Sequence, residues 1–107
     1  MTTFIQARLP GQPMQRVEKF AGESRLVSID CTGRLGQYEL LVSVLDLKTD
    51  GAEVTSSKCT GGRFVELLFG PEHVPDGRPY IDHAVACVAQ TNRGTLGVAL
   101  EVRVYPS

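Results

Sequence analysis

Five side chains have the types and spacing on which binding chemistry can be built: Arg16, Arg25, Asp46, Lys48 and Gly51. A guanidinium grips phosphate or a base edge through a rigid fork of N–H groups and stacks flat on a ring, which an ammonium does poorly. An aspartate at a strand end accepts hydrogen bonds from ring N–H groups. A glycine five residues later permits positive φ and close approach of backbone to a ligand. Lys48, between the two, adds a mobile point charge.

The other reactive residues do not assemble into a site. His83 and Cys87 share a strand face, but at about 3.3 Å per residue they stand roughly 13 Å apart, too far to hold one metal ion. His73 falls in a loop. No metal site and no cofactor are expected. No Ser, Thr or Cys sits in a recognisable setting with a paired base, so an enzyme is not expected either. Cys31, Cys59 and Cys87 are odd in number and form no Cys-x-x-Cys pair, which reads as three reduced, mostly buried thiols of a cytoplasmic protein.

The elements that must position these residues follow from pattern. A length of 107 residues supports one domain. Leu9-Pro-Gly-Gln-Pro-Met14 fits neither a helix nor a central strand, so residues 1–22 read as an arm ahead of a domain at 23–107, with Gln15–Phe20 as a short helical turn. From Arg25 onward the grammar is β. Leu26–Cys31 alternates, with Val27, Ile29 and Cys31 on one face; Tyr38, Leu40, Val42 and Val44 share a face of the next strand. A tight turn at Asp46–Gly51 leads to a short strand at Ala52–Ser57. Strands at Arg63–Phe69, Tyr80–Gln90 and Thr95–Tyr105 follow, separated by turns at 60–62 and 91–94 and a loop at 70–79. Six strands with short connections and no helical period predict an all-β antiparallel barrel or sandwich. An internal echo, Cys31-Thr-Gly-Arg against Cys59-Thr-Gly-Gly-Arg, says only turn and then strand, as any hairpin protein must.

Charge narrows the partners. A net charge of −1 argues against DNA or RNA. Residues 1–34 hold five basic side chains against three acidic, so an anionic ligand would be met mainly by the N-terminal part. No apolar run reaches the roughly 20 residues of a bilayer-spanning helix, and the first residues lack the pattern of a secretory leader.

Together the turn Asp46-Leu-Lys-Thr-Asp-Gly51, Arg25 some twenty residues before it, and the closing strand Leu96-Gly-Val-Ala-Leu100 resemble the PilZ family, bacterial receptor domains for cyclic di-GMP. The resemblance covers about Arg25 to Val102. It implies a six-stranded antiparallel PilZ-like barrel of split-barrel type. It also implies a cyclic di-GMP site in which Arg25 holds phosphate or stacks on guanine, Asp46 reads a guanine edge and Gly51 shapes the turn. Ala21 stands where the family's first arginine falls and Lys48 where it has serine, so the implied binding is weak unless Arg16 fills in from the arm. The implied role is a cytoplasmic second-messenger signalling module that regulates a partner protein, with a homo-oligomer possible. The alternative is a ligand-independent adaptor acting by protein–protein contact in motility, secretion or polysaccharide export.

Overall fold

Buried side chains, nearly all apolar, recur at every second position along two long stretches. His83, Val85, Cys87 and Ala89 in the first, and Leu96, Val98, Leu100, Val102 and Val104 in the second, are buried. Such period-two burial makes a strand with one face in the core. The computed structural model describes residues 2–107. Its strands are β1 (Thr2–Gln6), β2 (Arg16–Phe20), β3 (Arg25–Asp30), β4 (Leu41–Thr49), β5 (Val54–Thr60), β6 (Phe64–Phe69), β7 (Ile81–Thr91) and β8 (Gly94–Tyr105), with a 3-10 turn at Thr32–Arg34. They form two four-stranded sheets, β1-β3-β6-β5 and β2-β8-β7-β4. One apolar core, with Val27, Ile29, Leu67 and Phe69 from the first sheet and Val85, Leu100 and Val102 from the second, lies between them.

The all-β expectation holds, while the closed barrel of six antiparallel strands is corrected to two open sheets with eight strands. The added strands come from the stretch expected as an arm. β1 pairs parallel to β3 and β2 pairs parallel to β8, so each becomes an edge of a different sheet. Leu9–Met14 carries the chain from one sheet to the other. With four edges left open, no ladder closes. The helical turn expected at Gln15–Phe20 is likewise corrected to β2. Val17 and Lys19 face inward there, and a charged residue at a core position hides the alternation from any apolar pattern.

The bounds of two further strands differ: β5 is Val54–Thr60 rather than Ala52–Ser57, and β4 is also displaced. β4 starts at Leu41 rather than Tyr38 and runs through Asp46 and Lys48 to Thr49, so the reversal falls after the expected turn. Two register shifts, at Leu41/Ser43 and Val44/Asp46, break the alternation and leave Val42 and Leu45 exposed.

Strands β3-β6-β5 opposite β8-β7-β4 follow the B-E-D and G-F-C order of immunoglobulin-type sandwiches. The disulfide and tryptophan of that architecture are missing, since the cysteines are free and the chain has no tryptophan. The connections gather at two poles. The β3–β4, β5–β6 and β7–β8 connections meet at one, the tip. At the base, segment 70–80 lies with Thr2, which pairs beside Leu26 at the start of β3, and with Tyr105, which pairs with Phe20.

Candidate functional site

The five expected ligand residues fall in three places. Arg25 opens β3 at the base, where it donates to Thr3 Oγ1 at 2.9 Å and to Glu23 Oε1 at 3.0 Å. Gly51 lies at the same pole with φ +112°, and a Cβ there would come within 3.3 Å of His83 Cε1. Asp46 stands mid-strand on β4 and Lys48 one residue before its base end, both exposed and opposite Val88 and Ala86. Arg16 is on the opposite edge strand β2, with β8 and β7 between it and β4, and is paired with Glu101 at 3.3 Å. The fold therefore brings Arg25 and Gly51 to one end, with Lys48 three residues before Gly51 at the end of β4, and sets Asp46 and Arg16 apart; both guanidiniums already face a carboxylate of the chain.

A second polar group lies behind Gly51. Lys19 and His83 point inward from β2 and β7 on either side of β8, and Glu72 reaches them from the loop that crosses the base. His83 Nε2 is 2.6 Å from Glu72 Oε2, and Nδ1 is 3.2 Å from the Asp50 carbonyl and 3.5 Å from its carboxylate. A carbonyl only accepts, so the Asp50 contact requires the tautomer with Nδ1–H, which donates to it. Lys19, 2 % exposed, donates to the Phe20 carbonyl at 3.0 Å; burial pushes its pKa down, against the pull of Glu72 and Glu23. The Glu72 backbone N–H also donates to Ala21 O at 2.8 Å. These contacts pin segment 70–79 across the end of the core.

The tip is built differently, and sequence reasoning missed it. Tyr38 is the one non-glycine residue with positive φ among the described residues, at +61°, and it is 79 % exposed. Left-handed backbone costs roughly 1–2 kcal/mol in a residue with a Cβ, so neighbours must hold it. Asn92, in the β7–β8 turn, does so from three sides. Its Nδ2 donates to Tyr38 O at 3.1 Å, its Oδ1 accepts from Leu40 N at 2.9 Å, and its own N–H donates to Leu40 O at 3.1 Å. Glu39 locks the other flank, accepting from Gly36 N at 2.9 Å and from Thr91 Oγ1 at 2.6 Å; the Gly36 bond first and the Thr91 bond second hold its carboxyl below the usual range. From the β5–β6 turn, Gly62 (φ +71°) lies so close that a Cβ would come to 3.0 Å from Leu40 Cδ2, and its carbonyl accepts from Leu41 N at 2.8 Å.

A shallow cavity of about 500 Å³ opens beside Tyr38, walled by Leu35, Tyr38 and Leu40 with Thr32 and Arg63 at its border. The two Cys-Thr-Gly segments of the internal echo lie side by side here: Cys31 N donates to Arg63 O at 2.8 Å. That echo was the available signal for the tip, since both copies place a turn and an arginine at the same pole.

Among the described residues, no group of three or more His, Cys, Asp or Glu side chains could hold a metal ion. No helix among the described residues is long and apolar enough to cross a membrane. Comparison with known proteins finds no family model that matches the chain, and no curated protein or solved structure that does.

Proposed function

We propose that this protein is a non-enzymatic recognition module, an adaptor that docks another protein through the tip formed by residues 35–40, 60–63 and 91–94. The observation that carries the reading is Tyr38. Its strained backbone is held by a network of side-chain and backbone hydrogen bonds, yet its ring covers none of the core. Strain kept at an exposed aromatic gives the isolated chain nothing, whereas a rigid, already ordered tyrosine loses little entropy on contact. Tyrosine is also among the residues that anchor protein interfaces. The strand order supports this only by analogy: the β3–β4 and β7–β8 connections correspond to two of the binding loops of immunoglobulin variable domains.

The cyclic di-GMP reading has less support. It rests on the residues and their resemblance, whereas Arg16 and Arg25 are occupied and Asp46 stands apart from Arg25. Calorimetry with cyclic di-GMP at tens of micromolar is expected to give no heat; heat that disappears in Arg25→Ala would restore that reading. The adaptor reading is tested by a photoreactive phenylalanine analogue placed at position 38, or at the exposed Ala84 on the far sheet face, in cells that naturally make the protein. A discrete protein adduct is expected from position 38 alone. Adducts from position 84 with none from position 38 would overturn it.

A further inference from the structure

The tip has an asymmetry in its polar groups. Its acceptors are used largely internally: Glu39 uses both oxygens on Gly36 and Thr91, and one oxygen of Asp30, Oδ1, accepts from Thr32 N at 2.9 Å and Thr32 Oγ1 at 2.6 Å. Its donors are not. Arg63 and Arg93 make no side-chain hydrogen bond or ion pair of contact distance with any described residue, although Arg63 lies within electrostatic reach of Asp30 and Arg93 of Glu39, and Arg93 Nη1 lies 3.8 Å from where a Cβ on Gly36 would stand. Arg34 points away, donating to Arg8 O at 3.3 Å. Arg63 thus lines the hollow and Arg93 stands beside its Gly36 wall, and no described residue accepts from the N–H groups of either fork.

Resting on the reading of the tip as a recognition surface, we infer that its partner is an acidic polypeptide segment that inserts one apolar side chain between Leu35, Tyr38 and Leu40 and sets flanking carboxylates on Arg63 and Arg93. Carboxylates match the guanidinium fork in geometry and charge, whereas a basic or neutral segment would leave those donors unpaired in a closed interface. At the base the exposed Arg78 is outnumbered by the exposed carboxylates of Asp50, Glu53 and Asp76.

The test is fluorescence anisotropy with three labelled ten-residue peptides, each with a central leucine flanked by glutamates, glutamines or lysines. The glutamate peptide is expected to bind about tenfold or more tightly than the glutamine peptide, the size of one charge-assisted hydrogen bond, and the lysine peptide most weakly. Arg63→Glu should reverse the order of the glutamate and lysine peptides, a swap that a merely structural role for Arg63 would not produce. Amide shifts on titration should map to 36–40, 60–63 and 91–94. Equal affinity for the glutamine peptide, preference for lysine, no binding of any peptide, or shifts confined to other faces would each overturn the inference. The adduct at position 38 is an independent readout, so this inference can fail while the adaptor reading stands.

Discussion

At the level of single residues, the tip shows a conflict between stability and presentation. Tyr38 adopts a backbone suited to glycine, and Asn92 and Glu39 hold it there. Tyr38→Gly should therefore raise the urea-unfolding free energy, by up to about 1 kcal/mol after glycine's larger entropy loss, while abolishing peptide binding. Tyr38→Ala keeps the strain and should lose binding without that gain. A Tyr38→Gly protein less stable than wild type would show that the ring itself supports the fold. Little of this was legible in the sequence. Tyr38 reads as the first apolar residue of a strand, because its ring is apolar and Leu40, Val42 and Val44 follow at even spacing. The departure comes from partners fifty residues away, Thr91 and Asn92, and a single sequence does not display such contacts.

Among the elements, those with one apolar face could be read and those carrying charge inward could not. β3, β6, β7 and β8 fall where alternation places them, to within one or two residues. β2 escaped because Lys19 occupies a core position, and β4 was displaced because its bulges interrupt the period. The buried charge at the base has a mechanical role: Glu72, through His83 and Ala21, ties down a segment that contains Val74 in the core. Glu72→Ala should speed hydrogen exchange across 71–79 and lower stability by about 1–3 kcal/mol, since the imidazole loses its partner. Glu72→Gln, which can still bond, should lose less. Unchanged exchange in Glu72→Ala would show that the segment is held by packing alone.

For the whole molecule, all-β class and single-core packing were legible, whereas closure was not, because strand number and edge pairing depend on where the first twenty residues dock. Burial also sets a pH limit. Cys31 and Cys87 are pushed up from 9 to about 11, chiefly by desolvation and then by neighbouring thiols. A thiol whose folded pKa is raised stabilises the fold fully below its unfolded value and loses that contribution as pH climbs through the folded one. Urea unfolding should accordingly show stability falling between pH 9 and 11, by about 1–3 kcal/mol per thiol. Cys87→Ala should flatten that slope, and an unaltered slope would assign the alkaline loss to other groups. The placement of Thr2 and Tyr105 has a consequence of its own. Both ends of the described chain leave from the pole opposite Tyr38, with Ser107 Oγ accepting from Gly22 N at 2.7 Å. A neighbouring domain, tag or surface joined to either end would stand behind the module like a stalk behind a brush, leaving the arginine-bordered hollow facing outward.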